Sequence, residues 1–547
     1  MHNSDGHFHG GPVRSKISAK NCLGQWGVIA TVIGVLGVAV NNLQADTTSP
    51  DPSDPILNLF LQKGFITQTE ADKAKAEVQA MRTNEISNLP PPSKWKIDNG
   101  IKDIQFFGDV RLRYEDRSAT APTGGSIDLN RYRYAIRLGF RGDAFDDFNY
   151  GFRLETSSNP RSSMVTLGTS TPGPYGKSAG GITIGQVYLG WQPESWFNFT
   201  VGKMPNPLYT TPMVWSPSIN PEGLAENFKY TVGKADFFAT FAQFLYQDEN
   251  PVSATGGFGV NGLFGQTANN IFQIAWQGGF IYHITTNISA KVGATVYQYY
   301  GLKQSMSTQG LSPFYGDPYV GEGAYAGAGS ANPVNGNSGY PTPGGSVPGD
   351  NSVNYPNNQV GLNDLLVLEI PFELNFKIKS LDARFFGDFA YNFEGRQRAD
   401  DAAAGYAAYL ANQNTPSTIS GFAPQTHDNK AYQIGFALGS QDSLGLVNGT
   451  TSRKHAWEVR TYWQHVEQYS LDPNLLDLDF FSGAENLQGV YVAAAYGFSA
   501  NFIGTFRYGY ASRINDLLGT GGTGTDIPQI NPINQYQIFQ ADLTFRF

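Results

Sequence analysis

At 547 residues the chain is long enough for several ordinary domains or for one large barrel. Aromatic residues reach 14%, with 29 Tyr and 37 Phe, whereas charged residues are only 15% against roughly 25% in soluble globular chains. The net charge of -9 and the scatter of basic residues exclude a nucleic-acid-binding footprint, and so many rings with so few charges call for a surrounding other than water.

At the N-terminus Arg14, Lys16 and Lys20 precede an apolar run over residues 26–40, followed by Leu43, Gln44, Ala45 and Asp46. This pattern predicts a secretory signal peptide over 1–45, with a retained membrane anchor as the alternative, because the run is shorter than the roughly 20 residues a spanning helix needs. Cys22, the only cysteine, lies before the apolar run, on the wrong side for a lipoprotein acceptor. The mature chain is thus expected to hold no disulfide and no cysteine metal site.

Residues 46–100 read as a periplasmic linker and a short helical segment. Asp, Pro and Ser dominate 46–55; Ile56, Leu57, Leu59, Phe60 and Leu61 then recur at near-helical spacing, and Gly64 breaks the run. Thr67, Gln68, Thr69 and Glu70 match a capping box, predicting a second helix to about Arg82 and hence a small helical hairpin. Ala71, Ala74, Val78 and Met81 offer a face for self-association or contact with the cell wall, although a plain spacer is the simpler reading. Pro90, Pro91 and Pro92 close the segment.

From Ile104 the period changes to two. In residues 131–141 Tyr132, Tyr134, Ile136, Leu138 and Phe140 alternate with Arg or small residues, and 104–115 and 381–393 repeat the pattern. No segment after Val40 is a long uncharged apolar run; the nearest, 362–376, is broken by Asp364, Glu369, Pro371 and Glu373. Only a closed barrel can therefore cross a membrane, since hydrocarbon offers unpaired backbone groups no partner. About sixteen strands are predicted over 101–547, beginning near 104, 129, 148, 182, 195, 226, 236, 271, 287, 364, 381, 430, 455, 488, 501 and 534. Tight connections at 143–149, 192–195, 284–287, 379–382 and 497–501 alternate with long ones, the longest over 302–361, as outer-membrane barrels require. The fold class is all-β: a transmembrane antiparallel barrel with both ends in the periplasm, in contact with outer-membrane lipid.

Inside, the alternation puts Arg111, Arg113, Arg131, Arg133, Arg137, Arg141 and Arg153 on the polar face of the first three strands, more positive charge than Asp109, Glu115 and Glu155 balance. A cross-strand charge ladder accounts for many of them; the excess predicts a positive pore-lining wall. The third long loop, near 204–226, carries Leu208, Tyr209, Met213 and Trp215 among several prolines. Apolar groups there are best satisfied if the loop folds back into the pore. The seven His lack catalytic partners, and neither Gly-x-Ser-x-Gly nor His-Glu-x-x-His occurs, so no enzyme, metal site or cofactor is expected.

Residues 106–114 (FFGDVRLRY), 131–134 (RYRY) and 202–207 (GKMPNP) through 220–223 (NPEG) resemble the Putative porin family of Gram-negative bacteria over most of the first half. The final strand, with Phe539, Leu543, Phe545 and the terminal Phe547 on one face, is similar to the C-terminal signal read by the barrel-assembly machinery. The resemblance to general porins implies an outer-membrane homotrimer passing small hydrophilic solutes. It also implies a constriction where Glu222 or Glu226 on the third loop faces the arginine wall. The chain departs from the family at 215–219 (WSPSI), where acidic residues are more usual, which leaves arginine dominant and favours anions. The competing reading is a structural or adhesive barrel whose loops plug the pore; a plugged, energy-coupled transporter would need far more chain before the first strand.

Overall fold

The computed structural model describes residues 101–547 apart from 122–123, 146, 158–161, 169–180, 248–270, 301–364, 401–427, 452, 473, 517, 519 and 521–532. The expected signal peptide, helical hairpin and long loop over 302–361 lie outside the described residues.

Alternation gives each strand one apolar and one polar face, and the chain resolves this by wrapping a single antiparallel sheet. Its strands are β1 (Gln105–Thr120), β2 (Ser126–Ala144), β3 (Phe148–Ser157), β4 (Val165–Thr166), β5 (Gly181–Glu194), β6 (Phe197–Lys203), β7 (Glu222–Val232), β8 (Ala235–Gln247) and β9 (Ile271–Thr285). They continue with β10 (Ile288–Tyr300), β11 (Leu366–Ile378), β12 (Leu381–Asn392), β13 (Lys430–Ser440), β14 (Trp457–Val466), β15 (Leu487–Gly497), β16 (Phe502–Arg513) and β17 (Gln535–Arg546). Apart from the two-residue β4, each pairs with the next in sequence, β3 with β5, and β1 pairs with β17 from Asp109↔Arg546 to Thr120↔Gln535, so the sheet has no free edge. The two-residue β4 only extends the ladder of β2 beyond β3. Sixteen strands therefore form the wall, each beginning within four residues of its expected start.

The faces sort as the period demands. On β1 and β2, Phe106, Leu112, Tyr132 and Leu138 stand exposed on the outside, while Arg113, Glu115, Arg117 and Arg133 are buried on the inside. Phe547 completes the closure: its N–H donates to the Gly108 carbonyl (3.1 Å), and the Gly108 N–H donates to its carbonyl (3.0 Å). Gly108 is needed here, because a Cβ would sit 2.7 Å from the Phe547 ring and 2.5 Å from the Arg137 carbonyl.

Two departures from a plain barrel shape the interior. β6 and β7 open around residues 204–221, the third extracellular loop (L3), between Gly202 and Gly223, which face each other in register. Both glycines have positive φ, 117° and 149°, and a Cβ on either would collide with a neighbouring carbonyl, so the chain can turn inward only because these positions are bare. The second departure is the β13–β14 connection at the periplasmic end. The other described periplasmic connections are tight, but residues 441–456 rise into the barrel, burying Leu446 and Val447. The simple alternation of short turns and long loops fails here, and also at the short extracellular connection over 121–125.

Candidate functional site

L3 lies inside the barrel, held by apolar packing and by hydrogen bonds. Met204, Leu208, Met213, Val214 and Trp215 are all buried. The Trp215 ring meets Phe244 of β8 and Tyr297 of β10, and its indole N–H donates to the Ile219 carbonyl (3.1 Å). Burying each such side chain is worth roughly 1.5–3 kcal/mol, against which the loop's ordering entropy must be set. Polar anchors then fix direction. The Tyr209 backbone exchanges two hydrogen bonds with the Gln277 amide (2.8 and 2.9 Å), and Thr210 donates to Glu369 (2.6 Å). Thr211 donates to Asp388, and Tyr297 donates to the other Glu369 oxygen (2.6 Å). The Lys291 ammonium sits 3.5 Å from the Tyr209 ring centroid.

A second extracellular loop, L7 (residues 467–486), also folds inward. Leu471, Leu475, Leu476, Phe480 and Phe481 are buried, and Asp472 accepts hydrogen bonds from Tyr246 (3.0 Å) and Tyr299 (2.8 Å) across the lumen. L7 meets L3 where the Ser216 N–H donates to the Leu475 carbonyl (2.6 Å) and the Asp477 N–H donates to the Pro212 carbonyl (3.3 Å). Burial, reinforced by the charge of Asp479, pushes the Asp477 carboxyl up to about 7. Asp479 is only partly buried, and its contact with Arg113 holds it well below the usual carboxylate range. Of the two, Asp477 is the group that takes up a proton first as pH falls.

The arginines of β1–β3 face the lumen, and acids engage most of them. Glu115, fully buried, binds Arg117 (2.9 Å) and Arg131, with Arg133 and Arg113 each 3.6 Å away. Arg113 bridges Asp542 (2.7 Å) and Asp479 (2.6 Å), Arg137 makes a two-pronged contact with Asp109 (2.8 and 3.0 Å), and Arg153 binds Glu155 (2.9 Å). Asp542 also takes Arg507 of β16. Among the described residues Arg111, Arg141 and Arg546 have no ion-pair partner; Arg141 instead donates to Gln105 (3.1 Å) and lies over the Phe107 ring. The wall is thus a charge-paired cluster with a residual positive excess.

Several expected site residues stand elsewhere. Glu226 is on β7, where the outward positions are Phe228, Tyr230 and Val232, so it belongs to the outer face between Phe199 and Phe241 and cannot oppose the arginines. Glu222 opens β7 and ion-pairs with Lys203 at the rim. Trp215 is a buried anchor and Tyr209 a seat for Lys291; both reach the lumen wall rather than the arginines. Phe545 and Phe547 lie exposed on the outer face with rings 6.0 Å apart, and Phe539 packs against Tyr114. The residues that sequence reasoning missed are Asp542 and Asp479. Asp542 occupies a polar position of an alternating strand and could have been counted. Asp479 is flanked by Leu475, Leu476, Leu478, Phe480 and Phe481, the same apolar-loop signal that marked L3.

No curated protein matches the sequence. Among solved structures, the anion-selective porin from Comamonas acidovorans aligns at 9% identity with a TM-score of 0.37, covering 81% of this chain and 99% of its own, a likeness too distant to carry an argument. The family described as Putative porin matches residues 119–547, which takes in nearly the whole barrel. With its closed sixteen-stranded wall, apolar outer face and in-folded L3, the chain belongs to that Putative porin family, a family of outer-membrane pores rather than of catalysts.

Proposed function

We propose that the barrel passes small hydrophilic solutes by passive diffusion and prefers anions. The observation that carries the preference is the residue of charge left on the lumen wall: after Asp109, Glu115, Glu155, Asp479 and Asp542 are engaged, Arg111, Arg141 and Arg546 remain without a carboxylate. A low-dielectric wall focuses such charge onto the solute path. L3 and L7 together supply the narrowing, with arginine rather than Glu222 or Glu226 setting its sign. Reversal potentials across a planar bilayer in a potassium chloride gradient test this; chloride is expected to carry most of the current, and faster potassium would overturn the preference.

The same reading includes a homotrimer in the outer membrane, recognition of Phe539, Leu543, Phe545 and Phe547 by the barrel-assembly machinery, and contact of residues 46–100 with the cell wall. A second reading, a structural or adhesive barrel with a plugged pore, is favoured by the three inward segments: L3, L7 and residues 441–456. Stepwise single-channel conductance supports the pore, and its absence supports the plug.

A further inference from the structure

The in-folded periplasmic connection has a purpose that barrel closure does not require. Its crest is held by deliberate polar contacts. The fully buried Glu458 carboxylate accepts the N–H groups of Gly445 (2.8 Å) and Val447 (2.9 Å), Arg460 donates to Asn448 (3.2 Å), and Arg507 donates to the Val447 carbonyl (3.0 Å). The crest Leu446–Gly449 thereby forms one wall of a pocket of about 30 Å³, whose other walls are β1, β2, β16 and β17. That volume exceeds the roughly 10–15 Å³ a water molecule needs, so the pocket has room for a small polar occupant.

The charge in this pocket is lopsided. Arg111, Arg137, Arg507 and Arg546 line it, and Asp109 is the sole acid of the lining. Asp109 is already taken by both prongs of Arg137, and Arg507 turns to Asp542 outside the lining. Arg111 and Arg546 have no ion-pair partner among the described residues, and the buried Arg111 Nε has no hydrogen-bond partner. A buried guanidinium N–H without an acceptor is costly, and a planar fork suits two oxygens of one anion.

We propose that this pocket is a binding site for a small oxyanion, a phosphate or carboxylate group held by Arg111 and Arg546 beneath the crest of residues 441–456. The proposal deepens the anion-preferring reading by giving the path a resident stop at its periplasmic end. Thr505 and Thr544 supply hydroxyls beside the anion, and Gly449, with φ of +68°, keeps the crest free of a side chain next to Arg546.

The test uses the purified full-length protein and inorganic phosphate. In planar bilayers phosphate is expected to interrupt the chloride current, and in detergent solution it is expected to bind in calorimetric titration. Arg111→Gln and Arg546→Gln each raise the half-blocking and half-binding concentrations by roughly tenfold or more, because each removes a charge-assisted fork. Thr505→Glu, which keeps every guanidinium but adds a tethered carboxylate, abolishes both effects; Arg384→Gln, whose arginine faces Asn375 and Glu373, leaves them unchanged. Equal phosphate binding in wild type, Arg111→Gln, Arg546→Gln and Thr505→Glu overturns the site, as does absence of binding in wild type. The two ideas fail separately: an anion-preferring channel without phosphate binding removes the site alone, and a cation-preferring channel that still binds phosphate removes the preference alone.

Discussion

Glu115 shows how one side chain can govern a wall. It is fully buried, lies on a strand whose polar face turns inward, and gathers Arg117, Arg131 and, at longer range, Arg133 and Arg113. Removing its charge leaves several guanidiniums desolvated without compensation, the arrangement in which a broken buried pair costs most. Glu115→Gln is therefore expected to destabilise the folded barrel by about 3–5 kcal/mol. The readout is the midpoint temperature at which the compact, heat-modifiable form is lost on gel electrophoresis. At this scale the sequence was legible for direction but not for partnership. The parity of Arg111 to Arg153 gave the face they occupy, whereas their pairing depended on Asp542, which is brought alongside only by closure, and on Asp479, which comes from a loop. Glu226 was misplaced because the loop was taken to extend to it; the strand begins at Glu222, and parity alone then turns Glu226 outward.

Among the elements, the two inward loops meet through Ser216 and Asp477, and their contact is expected to respond to pH. Burial and the neighbouring Asp479 charge push the Asp477 carboxyl up to about 7, above the roughly 3.9 of an exposed aspartate. A raised carboxyl binds its proton more tightly folded than unfolded, so this contribution is complete below about pH 4 and is lost as pH rises through about 7. The groups around it are Asp479, which stays ionised, and the guanidiniums of Arg113 and Arg507. The midpoint temperature is expected to fall between pH 5 and pH 8, and Asp477→Asn, which is neutral throughout, to flatten that dependence; an unchanged slope in the variant would remove Asp477 as its source. L3 was readable from its sequence because Met213 and Trp215 have no business in water. L7 carries the same signature, and the crest of 441–456 a weaker one in Leu444, Leu446 and Val447. An apolar loop between two amphipathic strands is thus evidence of inward folding wherever it occurs, at either end of the barrel.

For the whole molecule, closure rests on a backbone approach that a side chain would forbid. Gly108→Val is expected to lower the yield of folded, heat-modifiable barrel sharply, since its Cβ would meet both the Phe547 ring and the Arg137 carbonyl. Gly181→Ala, at a position with open space around it, serves as the silent control. Strand number and placement were legible because the period of two is local and lipid enforces it on one face of every strand. The filling of the lumen was less so, because it is decided by contacts between segments hundreds of residues apart.

That separation sets an order of events. Arg131 finds Glu115 within one hairpin, 16 residues away, whereas Arg113 waits for Asp542, 429 residues further along the chain. The first hairpin can form while the rest is unpaired, but the charge cluster cannot be completed, nor L7 settle against Arg113 and Arg117, until the two ends of the sheet have met. Joining the ends is an encounter of high contact order and therefore slow. Arg113 and Asp542 thus act as a clasp between the first and last strands, a pairing that a barrel lacking its final strand cannot make.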